Sequence, residues 1–145
     1  MRSTLAVSLE DAVLVLDAAL AEAERAGTAV AVAVVDSGGH LVAFGRMDGA
    51  TFLAAAPAVA KAATSAGTGS TTEDFGRFLG RDPVALAGFT GQPGLSVLPG
   101  GLPILDSAGT VVGGIGVVGA APAVERQIGL AGLNAVAGPV ATVGG

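Results

Sequence analysis

Val35-Asp36-Ser37-Gly38-Gly39-His40-Leu41-Val42 and, seventy positions later, Leu105-Asp106-Ser107-Ala108-Gly109-Thr110-Val111-Val112 are two copies of one pattern. In each, an apolar run stops at Asp-Ser, passes a glycine and resumes as an apolar run. Asp and Ser bond nearby amides and Gly accepts a positive φ, so each copy predicts a hairpin with a tight turn. The strand entering the first turn, Ala29 to Val35, alternates Ala with Val. Both classes are apolar, so this strand is expected to be covered on both faces, with a helix in close approach on the Ala side.

Helices are expected around the ribbons. Ser8 reads as an N-cap with Asp11 in the first turn and Gly27 as a stop, and Leu9, Val13, Leu16 and Leu20 recur at helical spacing between them. A second helix is expected from about Phe52 to Ala66, with Pro57 near its first turn. A short third one, capped by Ser70 with Glu73 and closed by Gly80, would bury Phe75, Phe78 and Leu79. Asp82 to Pro103, rich in Gly and Pro, reads as a long connection with a short strand near Leu95 to Leu98. A last helix starts at Pro122 and runs to about Val136, and Gly138-Pro139 ends it. The order of helix, hairpin, two helices, hairpin and helix gives an α+β domain: an antiparallel sheet of about five strands flanked by helices.

Composition narrows the function. The chain has 145 residues, enough for one domain, and is 51% hydrophobic. Seven basic residues against 12 acidic ones give a formal charge of -5, and Trp and Tyr are absent. With no basic stripe and no large stacking surface, nucleic acid is excluded as the expected partner. The absence of Cys and the presence of a single His leave no zinc ribbon, thiolate nucleophile or His-rich metal site. Acidic residues at Glu10 and Asp11 interrupt any leader-like run, and the long uncharged stretch before Leu105 is dense in Pro and Gly. No export signal or membrane span is expected, which reads as a cytoplasmic protein.

Several residues invite a chemical role. His40 is the one side chain that titrates near neutrality without perturbation, and it stands where a turn meets a strand. Arg46, Met47 and Asp48 follow that strand; Lys61 interrupts an apolar helix; Glu125 and Arg126 open the last helix, where a carboxylate is favoured by the helix dipole. Gly114-Ile115-Gly116-Val117-Val118-Gly119 has the glycine spacing of a dinucleotide fingerprint, but its glycines fall within a strand and no acidic residue follows at the required distance. Gly114 and Gly116 strip one face of that strand, so a helix, a neighbouring subunit or a flat ligand must come close. Gly100 and Gly101, in Leu98-Pro99-Gly100-Gly101-Leu102-Pro103, offer amides that could bond an anion, or simply form a turn.

Taken in order, Val34 to Phe44, Arg46-Met47-Asp48-Gly49-Ala50, Lys61-Ala62, Pro99-Gly100-Gly101-Leu102-Pro103-Ile104 and Gly113-Gly114-Ile115-Gly116-Val117 resemble the GlcG/HbpS family, which includes the C-terminal domain of PduO-type proteins. The resemblance implies an antiparallel sheet between helical layers, homo-oligomers packed through those layers, and haem binding in several members. Two departures stand out: no aromatic residue follows the Lys61 to Ala66 stretch, which opens space there, and Gly129 and Leu130 replace polar positions, which suggests an apolar contact with a partner chain or ligand.

Two functional readings follow. The first is a small-molecule-binding protein whose pocket lies between the Gly114/Gly116 strand, the Pro99 to Pro103 loop and adjacent helices. It would take a small apolar or carboxylate-bearing ligand, with haem as the leading cofactor and His40 or Met47 as axial ligand. The second is a cofactor-independent isomerase, cyclase or lyase. There His40, Asp48, Lys61 and Glu125 would move protons and Arg46 or Arg126 would hold a carboxylate or stabilise an enolate.

Overall fold

The computed structural model describes residues 1–136. Helix α1 (Leu9–Arg25) leads into strands β1 (Ala31–Asp36) and β2 (Leu41–Arg46), and a single 3-10 turn (Phe52–Ala54) then enters α2 (Ala55–Thr68). Helices α3 (Thr72–Leu79) and α4 (Pro83–Thr90) precede β3 (Gly101–Leu105), β4 (Val111–Val118) and α5 (Pro122–Leu133).

The two repeats form sister ribbons. In the first, Asp36 Oδ1 accepts from the amides of Gly38 and His40, both at 2.9 Å. In the second, Asp106 Oδ1 accepts from Ala108 at 2.9 Å and Thr110 at 2.8 Å. The glycines that close the turns, Gly39 and Gly109, have φ of 82° and 83°, the left-handed conformation that favours glycine. Both ribbons slip register just beyond the turn, at Val34/Val35 and at Ile104/Leu105. They join through β1 and β4 into one antiparallel sheet, ordered β2-β1-β4-β3. That makes four strands among the described residues instead of the five expected, because residues 95–98 do not pair with the sheet.

The sheet lies between two helical layers. Val30, Val32 and Val34 enter the core beneath α1 and α5 with Ile115, Val117 and Ile128. Ala31, Ala33 and Val35 face α2, meeting Ala54, Ala58, Ala62 and Ala66. The expected close approach on the Ala side is real, and β4 supplies its other half. A Cβ on Gly116 would lie 2.0 Å from the Ala58 carbonyl oxygen, and one on Gly114 would lie 2.3 Å from that of Ala62. The glycine-stripped face is therefore filled by α2 backbone, the helix among the three occupants anticipated for it.

Other expectations shift. Ser8 caps α1, accepting from the Asp11 amide at 3.1 Å. For α3 the cap is Thr71 rather than Ser70, its hydroxyl accepting from Asp74 at 3.0 Å. Phe78, expected inside, is 63% exposed. The Gly/Pro connection contains α4, started by Asp82, whose carboxylate accepts from Val84 and Ala85, with Pro83 in the first turn. None of the α4 residues is fully buried. The expected end of α5 at Gly138-Pro139 lies outside the described residues.

The sheet's two edges differ. Strand β3 carries Pro103, which has no N–H, and the amide of Gly101 donates to Thr72 Oγ1 at 3.0 Å, so α3 and a proline close that edge. On β2 the Met47 amide donates to Val30 O at 3.0 Å, and antiparallel alternation turns the backbone groups of Phe44 and Arg46 outward. That edge is open.

Candidate functional site

Lys61 and Glu125, far apart in sequence, meet at the end of β4. Lys61 Nζ donates to Glu125 Oε1 at 3.1 Å and to the Val117 carbonyl at 2.9 Å. Glu125 Oε2 accepts from Gly119 at 2.9 Å and more loosely from Ala120. Each residue is about 5% exposed or less. Burial pushes the Lys61 ammonium below its ordinary range, and the adjacent Glu125 carboxylate opposes that shift.

Gly100 completes the cluster. It has φ of 120°, and a Cβ there would lie 2.5 Å from Val117 O and 2.8 Å from Lys61 Nζ. Gly101 fits as tightly against the Lys61 carbonyl, Thr72 and Ser65. The hydroxyl of Ser65 is fully buried and has no hydrogen-bond partner among the described residues. The Gly101 amide is already donated to Thr72, so it is not offered to an anion. Just outside, Thr71, Glu73, Gly100, Gly101, Leu102 and Arg126 line a hollow of about 10 Å³, room for one water.

The remaining candidates lie elsewhere. His40 sits at the turn end of the β1–β2 ribbon, beyond the Asp36↔Gly113 pair, whereas Lys61 bonds at Val117, toward the other end of β4. The His40 side chain is 81% exposed and its Nδ1 is 3.2 Å from Asp36 Oδ1. The backbone amides of His40 and Gly38 hold the Asp36 carboxyl below its usual range, partly offset by desolvation. Arg46 is exposed and donates to Ala50 O at 2.7 Å; Asp48 is exposed. Met47 packs on the core and its sulfur accepts from the Val30 amide at 3.4 Å, so it is engaged within the chain. Gly129 is buried against Leu102 of the same chain rather than a partner.

A second concavity, a wide groove of about 430 Å³, runs between α1 and α5, lined by Glu22, Arg25, Arg126, Gln127, Leu130 and Asn134 among others. Glu22 links its walls, accepting from Gln127 Nε2 at 2.6 Å and pairing with Arg25. Leu130, singled out in the sequence as an apolar contact position, lines this groove, but its other walls and the orphaned Ser65 were not signalled, because they depend on how separate elements pack. Among the described residues no cluster of three or more His, Cys, Asp or Glu could hold a metal ion, and no helix is long and apolar enough to cross a membrane.

Comparison with known proteins places this geometry. A family model described as "Haem degrading protein HbpS-like" matches residues 7–134. The chain belongs to the HbpS-like family. The protein GlcG of Escherichia coli K12 is 32% identical over 117 residues, covering 81% of this chain and 84% of GlcG. Among solved structures, a double mutant of Streptomyces reticuli HbpS superposes with a TM-score of 0.85 at 31% identity, covering 94% of this chain and 91% of that one. A PduOC:heme complex superposes with a TM-score of 0.82 at 25% identity over 96% of this chain and 99% of that one. The HbpS-like fold thus accounts for the paired ribbons between helical layers.

Proposed function

We propose that this HbpS-like chain binds a flat, largely apolar ring, with haem the leading ligand, at the turn end of the β1–β2 ribbon, and that His40 supplies the axial nitrogen. The observation that carries this reading is the His40–Asp36 pair. A carboxylate 3.2 Å from Nδ1 favours the tautomer with hydrogen on that atom, which leaves the Nε2 lone pair for iron. The ring is exposed, and its strand continues with Leu41, 52% exposed, and Phe44, 37% exposed. Haem, when bound, would bring an iron centre able to bind diatomic ligands and exchange electrons. The interior does not fit haem: the hollow beside Gly100 holds one water, and α2 covers Gly114 and Gly116. The relatives that name haem support the ligand class.

Titration with haemin, followed by the absorption band, tests it. The wild type should show a saturable band shift, His40→Ala should lose it, Asp36→Asn should weaken affinity by about tenfold or more, and Met47→Ala should retain the shift. An unshifted band in the wild type, or a full shift in His40→Ala, rejects the assignment. The isomerase, cyclase or lyase reading gains no comparable support. Its proton-transfer candidates are divided between a sealed pair, Lys61 and Glu125, and the solvent-exposed His40 and Asp48.

A further inference from the structure

We infer that Arg46 holds an acid group on the margin of the bound ring, so that the site selects amphiphilic rings with a carboxylate on one edge and sets their direction along β2. The inference rests on the proposed ring site and adds to it a binding residue and a ligand class.

Three observations converge on Arg46. First, it shares a face with the apolar residues assigned to the ring. Ala31, Ala33 and Val35 face α2, and the register sets Arg46, Phe44 and Leu41 opposite them. Cross-strand partners point the same way, so these three β2 side chains emerge together on the α2 side. Helix α2 lies over β1, β4 and β3, which leaves Leu41 and Phe44 exposed on an uncovered strip. Second, the two ends of the strip differ in charge. His40 and the Asp36 carboxylate stand before Leu41, and Arg46 closes the strand at the other end. At about 3.4 Å per residue Leu41 and Arg46 are roughly 17 Å apart at Cα, a span that a porphyrin and two long side chains can cross. An acid margin is repelled from the Asp36 end and drawn to the Arg46 end. Third, the guanidinium is already held in place. Nη1 donates to the Ala50 carbonyl at 2.7 Å, and the Ala50 amide closes a turn onto Met47 O at 3.1 Å. That uses one of five N–H groups, and among the described residues no carboxylate, Asp48 included, pairs with Arg46. A fixed fork with its charge unneutralised fits a carboxylate and loses little freedom on binding one.

The test compares the affinities of the whole chain for haemin and for haem dimethyl ester, whose two acid groups are capped. The wild type should bind the ester about tenfold more weakly, and Arg46→Ala should bind haemin about tenfold more weakly than the wild type does. In Arg46→Ala the gap between haemin and ester should close, because the acid has lost its partner. Arg46→Lys, which keeps the charge without the fork, should recover part of the affinity, and Arg81→Ala, at an exposed arginine on another element, should change nothing. Circular dichroism checks that each variant is folded, and the ester comparison in the wild type needs no variant at all. Iron-free protoporphyrin IX, followed by its fluorescence, separates the two assignments: its binding should still depend on Arg46 but no longer on His40. Equal wild-type affinity for haemin and ester, or a gap that persists in folded Arg46→Ala, overturns the inference, and it does so alone where His40→Ala still loses the haemin band shift. An Arg46-dependent gap beside a full band shift in His40→Ala upholds the inference and rejects the axial assignment. A wild type that binds none of the three rings overturns both.

Discussion

Lys61 is the residue whose neighbours decide most. Its ammonium is held in the core by one carboxylate and one carbonyl, and Gly100 has no side chain because that cluster occupies its place. Removing one partner of a buried ion pair strands the other charge, so Lys61→Met should lower unfolding free energy by about 3–5 kcal/mol in urea titrations. Lys61→Met combined with Glu125→Gln should recover more than half of that loss, since the amide oxygen can still accept from Gly119 without carrying a charge. If the double variant were as unstable as the single one, the charge would not be the cause. Sequence reading found both residues as chemical candidates but not as partners, because positions 61 and 125 meet only after α2 and α5 have packed on opposite faces of β4. His40 was legible for the converse reason: its setting is its own turn, written within five consecutive residues.

At the level of elements, the sheet and α2 are fitted backbone to backbone. Gly116→Ala would press a methyl group to within 2.0 Å of the Ala58 carbonyl oxygen, with no side chain able to rotate away. We expect a loss of about 3 kcal/mol, at the upper end for overpacking, or failure to fold. Gly67, also near α2's contact with the sheet in sequence, has open space around its Cα, and Gly67→Ala should raise stability by about 0.5–1 kcal/mol through helix propensity. Opposite signs in thermal melts of the two variants are the check. This layer was readable in advance from Ala29 to Val35 and from the bare strip at Gly114 and Gly116. Helix α4 was not, because Gly and Pro statistics outweighed a local signal, Asp82 followed by Pro83, that names a helix start. The expected fifth strand failed because the short stretch Leu95-Ser96-Val97-Leu98 has no meaning as a strand without a neighbour to pair with.

Across the molecule, stability is unevenly spread. The four strands, α1, α2 and α5 share two buried clusters, while α3 packs beside β3 and α4 packs on α3, where Phe75 and Phe89 meet edge to face at 4.9 Å. With no fully buried residue, α4 should exchange its amide hydrogens fastest among the five described α-helices, by local opening, while β1 amides exchange only with global unfolding. Hydrogen exchange read by mass spectrometry settles this, and equal protection of α4 and β1 would contradict it. The closed margin at Pro103 and Thr72 has one more consequence. With Pro103 offering no N–H and the Gly101 amide already donated to Thr72, that side of the sheet has little to give a stray extended segment, and strand addition there is disfavoured.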